Sequence, residues 1–384
     1  MKKIAIITNI APIYRSALWK MLLQDKANEY HFFYGENLND AIKKIDVSKD
    51  EFLRFSNRMY EVKNYFYAHK VLVWQRGVIF KCLRGKYDIG IFLGDMYCIS
   101  TWICSILFRL HGREVAFWGH GLYGNEAQIK LKARMLFYNI PHKFLVYGTR
   151  AKQLMVKQGI NQNNIYVVFN SLDYDMHKSV RAKAAKLSRE ETFSIYRYPN
   201  LPILVFIGRL MKEKKLELLV EAVNRINEKD IRINLLIIGD GPEKRRLEDM
   251  SALGKGNKWV YFTGALYEED EVGKYLYWSD LCVSPGNVGL NAIHALGYGT
   301  PVCTHANLSM QGPEAEAIVD GVSGCFFREN DQNDLANKIK TWFAMYKDRE
   351  HVRQCCYGII DKFYNPSYQL TVFNRLINGD LPEL

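Results

Sequence analysis

Ser284–Val302 reads SPGNVGLNAIHALGYGTPV. The apolar run Leu281-Cys282-Val283 before it predicts a buried strand that stops at Pro285-Gly286. Gly289 then leads into a compact helical pattern, with Leu290 and Asn291 at its head, which ends at Gly297-Tyr298-Gly299. Pro301 and Val302 open the next strand. In a strand, glycine-bearing loop, helix and strand, the first helical turn leaves N–H groups unpaired, and the helix dipole favours an anion there. The stretch therefore reads as half of a site for a phosphorylated ligand.

Working outward, the same alternation recurs on both sides. Towards the N-terminus lie the predicted strands Ile203–Ile207, Ile233–Ile238 and Val260–Phe262, ending at Gly208-Arg209, Gly239-Asp240-Gly241-Pro242 and Thr263-Gly264. Predicted helices separate them, and Gly324–Phe327 adds a strand on the other side. The glycines after the second of these strands are not a dinucleotide fingerprint, because Lys244, followed by Arg245-Arg246, stands where a third glycine is needed for close packing. Farther back, Lys3–Ile10, Tyr30–Tyr34, Tyr87–Leu93, Glu114–Trp118, Lys143–Tyr147 and Ile165–Phe169 form a second set of apolar strands. Strands alternating with helices predict an α/β chain built on parallel sheets. Tyr65–Leu83 reads as one basic, aromatic helix, with Tyr67, Val71, Trp74 and Val78 recurring at helical spacing. Residues 36–62 carry no clear pattern.

A chain of 384 residues exceeds one ordinary core, so two domains are expected. The predicted divisions are an N-terminal domain over 1–180, a charged linker over 181–200, a C-terminal domain over 201–365, and a last helix over 366–384 that packs back on the N-terminal domain. The N-terminal MKKIAIITNIAP has too short an apolar core for a signal peptide and reads as a first strand. No apolar run reaches the ~20 residues of a membrane-spanning helix. The eight cysteines show no paired spacing, which fits free thiols in a reducing cytoplasm and disfavours zinc.

The net charge is +11 and is unevenly placed. Residues 1–180 hold 26 Lys and Arg against 14 Asp and Glu; the remainder holds 26 against 27. A basic, aromatic first half points to an acidic substrate or an anionic membrane surface. No nucleic-acid motif is present, so nucleic acid is not an expected partner. Ligands bind parallel sheets at the strands' carboxyl ends. Tyr14 and Arg15 after the first strand, Asp95 after Tyr87–Leu93, and His120 between Gly119 and Gly121 are therefore candidates for a binding cleft. Asp173-Tyr174-Asp175 is a weak metal pattern beside the linker and reads as solvated loop acids.

Taken in order, Gly208-Arg209 with Lys214, Gly239-Asp240-Gly241-Pro242, Gly264, and Gly289-Leu290 with Gly299-Thr300-Pro301-Val302 resemble the retaining glycosyltransferases of family four. The resemblance covers roughly 201–330 well and the first domain more loosely, through Gly119-His120-Gly121 and Asn170-Ser171. It implies the GT-B fold, two Rossmann-like domains facing a central cleft. It also implies a nucleoside-diphosphate sugar as donor and a saccharide or lipid-linked saccharide as acceptor, in surface polysaccharide assembly. The protein would be cytoplasmic, on the inner face of the cell membrane. Arg209 and Lys214 would clasp the donor diphosphate, so neither a cofactor nor a metal is expected. The Gly289 loop would add backbone donors, and His120 would position the donor sugar. Tyr14, Arg15 and Asp95 would lie on the acceptor side.

The family's two glutamates, with seven residues between them, fall here on Gly286 and His294. His294 is expected to accept a bond from a ribose hydroxyl. Asn287, Glu314 or Glu316 are expected to replace the sugar contact that Gly286 cannot make. Two alternatives follow from the same residues: a nucleotide-sugar epimerase, which needs no acceptor, and a non-catalytic scaffold, which has no need of phosphate clasps.

Overall fold

The structure is a computed structural model that describes residues 1–35, 43–228, 232–253, 259–346 and 348–384. It divides into two compact units, Met1–Asp173 with Asn365–Leu384, and Tyr174–Tyr364.

The first unit is built on seven parallel strands: β1 (Lys3–Thr8), β2 (Glu29–Gly35), β3 (Met59–Val62), β6 (Ile89–Leu93), β7 (Glu114–Gly119), β8 (Lys143–Val146) and β9 (Ile165–Val167). Their order is β3-β2-β1-β6-β7-β8-β9. Near-continuous apolar runs such as IAII and VAFW belong to strands covered on both faces, and these strands are buried almost throughout. The chain leaves β1 in one direction and returns to its other side at β6, which makes the β1/β6 edge a topological switch point. The helix Pro366–Asn378 belongs to this unit; Val372, Phe373, Leu376 and Ile377 join its core, and Gln369 bonds to Ser171 and Phe169.

The second unit repeats the plan with β10 (Ile203–Ile207), β11 (Asn234–Ile238), β12 (Val260–Gly264), β13 (Leu281–Ser284), β14 (Val302–His305) and β15 (Gly324–Phe327). The order β12-β11-β10-β13-β14-β15 is again all parallel, with its switch point between β10 and β13.

The structure corrects three sequence expectations. Tyr65–Leu83 is not one helix. It is an antiparallel hairpin of β4 (Asn64–Tyr67) and β5 (Leu72–Gln75), followed by a helix over Val78–Arg84. Aromatic and β-branched residues favour a pleated surface, and this preference outweighs the helical spacing. Second, the units divide at Asp173/Tyr174 rather than at 180, and 181–200 is no linker. The helices Tyr174–Ala184 and Arg189–Thr192 fold into the second unit, where Arg189 forks onto Asp280 at 3.0 and 2.6 Å. Third, Gln128–Tyr138 forms a helix that the sequence did not signal. Of the unpatterned stretch 36–62, residues 36–42 lie outside the described residues, and Met59–Val62 is the edge strand β3.

Candidate functional site

In the second unit, the loops leaving β10 and β13 meet at the switch point. The Gly239 loop is pressed against the Gly208 loop: a Cβ at Gly239 would overlap the carbonyl oxygen of Gly208. Arg209 stands exposed at the end of β10, and its side chain forms no hydrogen bond or ion pair with a described residue. The turn Lys212–Lys214 follows. Lys214 is half-buried and donates from Nζ to the carbonyl oxygen of Asn287 at 2.6 Å. Desolvation lowers its pKa, and Glu213 and Glu314 oppose that effect.

The β13 loop is stitched from beneath. The Gly286 amide donates to the Lys214 carbonyl at 3.0 Å. Gln311, which the sequence did not single out, accepts from the Val288 amide at 2.9 Å and donates to Thr304 Oγ1 at 2.8 Å. The Asn287 side chain donates one of its two amide hydrogens to the Met310 carbonyl at 3.2 Å. Gly289 has a left-handed backbone, φ 52°. Glu314 is buried and Glu316 half-buried on the neighbouring turn. Lys214, Gly286, Asn287, Gly289 and Glu314 thus come together, with Arg209 at the adjacent strand end.

Three expected features differ. The helix that closes the quoted stretch is Asn291–Gly297, only seven residues, and Leu290 at its head supplies no capping side chain. Its dipole is correspondingly small, so the loops and Lys214, rather than the helix end, supply the site's polarity. Asn291 donates its side-chain amide to the Ile207 carbonyl, tying the helix to β10. His294 turns away from these loops: its Nε2 lies 2.7 Å from Glu269 Oε1. Tyr298 donates to the same oxygen at 2.7 Å, and the His177 ring lies alongside with its centroid 5.1 Å from that of His294. Although burial alone would raise it, the Glu269 pKa is held down to about 2 by His294, His177 and Tyr298; burial pushes His177 down to about 3. Neither His177 nor Glu269 was visible as a partner in the sequence, because both lie far back in the chain.

In the first unit, a cavity of about 380 Å³ opens at the carboxyl ends of β1, β6 and β7, where the switch point lies. It brings Tyr14, Arg15, Asp95 and His120 together, with Arg134 and Tyr147. The Arg15 guanidinium lies over Trp118 at 4.5 Å and donates to the Tyr147 hydroxyl, which holds a cation on an aromatic floor. The His120 loop is fixed from behind by Arg134 and Tyr138, which both donate to the Gly121 carbonyl, at 3.2 and 3.1 Å. The Arg134 guanidinium is itself held by Glu126 at 2.9 Å. His120 is solvent-exposed at the cavity, while the residues behind and beside it remove part of its hydration. That desolvation, and then Arg15 and Arg134, push its pKa down to about 4, so the imidazole is neutral at physiological pH. Asp95 accepts the Tyr97 amide at 3.0 Å. No helix among the described residues is long and apolar enough to cross a membrane.

Comparison with known proteins agrees with this architecture. Residues 188–356 match the family model for glycosyl transferases group 1. Sulfoquinovosyl transferase SQD2 of Arabidopsis thaliana is 32% identical over 170 residues, 43% of this chain and 31% of that protein. A GDP-mannose-dependent alpha-(1-6)-phosphatidylinositol dimannoside mannosyltransferase of Mycobacterium tuberculosis is 28% identical over 160 residues, 41% of this chain and 39% of that one. The matches thus span between about three-tenths and two-fifths of those relatives' lengths. Anabaena Alr3699/HepE, solved in complex with UDP, superposes with a TM-score of 0.69 at 13% identity, covering 98% of this chain and 100% of that one. The lipopolysaccharide outer core galactosyltransferase WaaB superposes with 0.68 at 16%, covering 98% and 99%. The fold, two Rossmann-like parallel sheets covered by helices, is that of the GT-B glycosyltransferases.

Proposed function

We propose that the chain is a glycosyltransferase that moves a sugar from a nucleoside diphosphate to a saccharide or lipid-linked saccharide, with retention, in the assembly of a surface polysaccharide. One observation carries this reading: at the β10/β13 switch point, Lys214 is locked to the Asn287 carbonyl while Gly286 is locked to Lys214, beside an unengaged Arg209. This is a preformed cationic corner. As a glycosidic bond to a diphosphate breaks, negative charge grows on the leaving phosphate. Cations already in place bind that charge more strongly in the transition state than in the ground state. Arg209 supplies a planar fork and Lys214 a point charge, so the chemistry calls for no metal at the diphosphate.

In the first unit, neutral His120 offers a hydrogen bond to a sugar hydroxyl without adding charge, and Arg15, Tyr14 and Asp95 line the acceptor's side of that cavity. Incubation with a panel of nucleoside-diphosphate sugars and acceptors, read by nucleotide release and by the anomeric configuration of the product, tests the proposal. Release that depends on acceptor, with the anomer retained, supports it. Conversion of the sugar nucleotide without acceptor favours the epimerase instead.

The lipid-linked acceptor places the protein at a membrane surface on the cytoplasmic side. Support comes from the basic first half and from exposed apolar side chains on two helices, Ile106 and Leu110 on Ile99–Leu110, and Ile129 and Leu136 on Gln128–Tyr138. Arg109 donates to the carbonyls of Asn139 and Ile140 just past the second helix, on which Lys130 and Lys132 are exposed. Sedimentation with anionic vesicles at low salt tests this part. Binding that weakens with salt is expected, and a protein left in the supernatant refutes it.

A further inference from the structure

Away from the loops that form the cationic corner, three side chains from three stretches of the second unit converge. His177 lies on the helix Tyr174–Ala184, Glu269 heads the helix Glu269–Trp278, and His294 lies on Asn291–Gly297. Nε2 of His294 is 2.7 Å from Glu269 Oε1, and Nε2 of His177 is 3.4 Å from the same oxygen. All three donor atoms lie within 4.8 Å of one another. The side chains are largely withdrawn from solvent, His177 at 7%, His294 at 15% and Glu269 at 25% exposure. Close packing makes the convergence possible: a Cβ at Gly297 would stand 3.1 Å from His177 Nδ1.

We propose that His177, Glu269 and His294 form a binding site for a divalent transition-metal ion of the zinc class. Four ligands at 2.0–2.1 Å around such an ion stand roughly 3.3 Å apart, and the two separations from Glu269 Oε1 bracket that spacing. Two imidazoles and one carboxylate are the donor set of zinc, cobalt or nickel; magnesium and calcium take oxygen ligands almost throughout. A water would complete the fourth position, and the Tyr298 hydroxyl, which donates to Glu269 Oε1, would orient that carboxylate. The ion would add a cross-link to three helices that already share packing, hydrogen bonds and the Lys183–Asp270 ion pair, so its effect is on the stability of this unit. The site is independent of the transferase reading, because the cationic corner is formed by other residues.

The rival arrangement uses a proton instead of a metal, with an N–H of each histidine shared onto Glu269. Untagged protein, stripped with EDTA and then loaded with Zn²⁺ or Co²⁺, separates the two. About one tightly held equivalent is expected, with a rise in melting temperature on adding Zn²⁺. Bound Co²⁺ should show visible ligand-field bands of a nitrogen and oxygen site and no thiolate charge-transfer band, which sets it apart from the eight free cysteines. His177→Gln and Glu269→Gln should each weaken binding at least about tenfold. No retained metal, a thiolate band, or a His177→Gln protein that binds as the wild type does would overturn the proposal. If a variant fails to fold, the wild type decides alone: an unchanged melting temperature with and without Zn²⁺ is enough to reject the site.

Discussion

The Gly286 amide donates to the Lys214 carbonyl at 3.0 Å, and the two backbones are so close that a Cβ at Gly286 would overlap the Glu213 carbonyl oxygen and come within 2.8 Å of Lys214 Cα. No side chain fits between the loops here, so the position admits only glycine. Gly286→Ala and Gly286→Glu should each cost about 1–3 kcal/mol in urea unfolding, the usual penalty of overpacking. Neither should improve turnover. A Gly286→Glu protein as stable as the wild type and more active would show that the position tolerates the carboxylate after all.

Lys214 is charged, half-buried and bonded to one neutral carbonyl, and desolvation lowers its pKa. A group whose burial disfavours its charge contributes little to folding. Lys214→Met should leave the unfolding midpoint equal or higher while weakening nucleoside-diphosphate binding about tenfold or more, the loss of a charged hydrogen bond. Equal binding by both proteins would remove Lys214 from the site.

His120 has a folded-state pKa near 4, below the ordinary value of about 6.5. Between those values the unfolded chain takes up the proton first. The stability due to neutral His120 is therefore fully present above about pH 6.5 and is lost as pH falls towards 4. Histidine NMR titration should show this ring neutral at pH 5.5, and His120→Gln should flatten part of the fall in stability below pH 6.5. A midpoint near 6.5 would show that the exposed ring keeps its hydration and that Arg15 and Arg134 act on it weakly.

Much of the fold was legible because parallel strands buried on both faces announce themselves as apolar runs, and their glycine-rich ends mark the switch points. The cationic corner was legible for the same reason: Gly208, Lys214 and Gly286 are set by local turns. The hairpin after β3 was not. Its turn places Ala68, His69 and Lys70 in left-handed backbone, residues that carry no turn signal, and Tyr67, Val71, Trp74 and Val78 imitate a helical stripe. His294 was expected to face a ribose hydroxyl; in the structure it meets Glu269 and His177, neighbours that reach it through helix packing and leave no mark in the sequence. Gln311 escaped notice because an amide side chain that stitches a loop looks in sequence like any polar loop residue.

Arg209 gives the most direct test. It is exposed and forms no side-chain bond to a described residue, so no side-chain bond among the described residues depends on it. Calorimetric titration of the wild type and of Arg209→Ala with UDP, GDP, dTDP, ADP and CDP, beside urea unfolding of both, examines the donor site itself. The expected result is binding of at least one nucleotide by the wild type and a loss of about tenfold or more in Arg209→Ala, with stability changed by less than about 0.5 kcal/mol. A wild type that binds none of these nucleotides, or an Arg209→Ala protein that binds as tightly as the wild type, would contradict the assignment of this corner to a diphosphate.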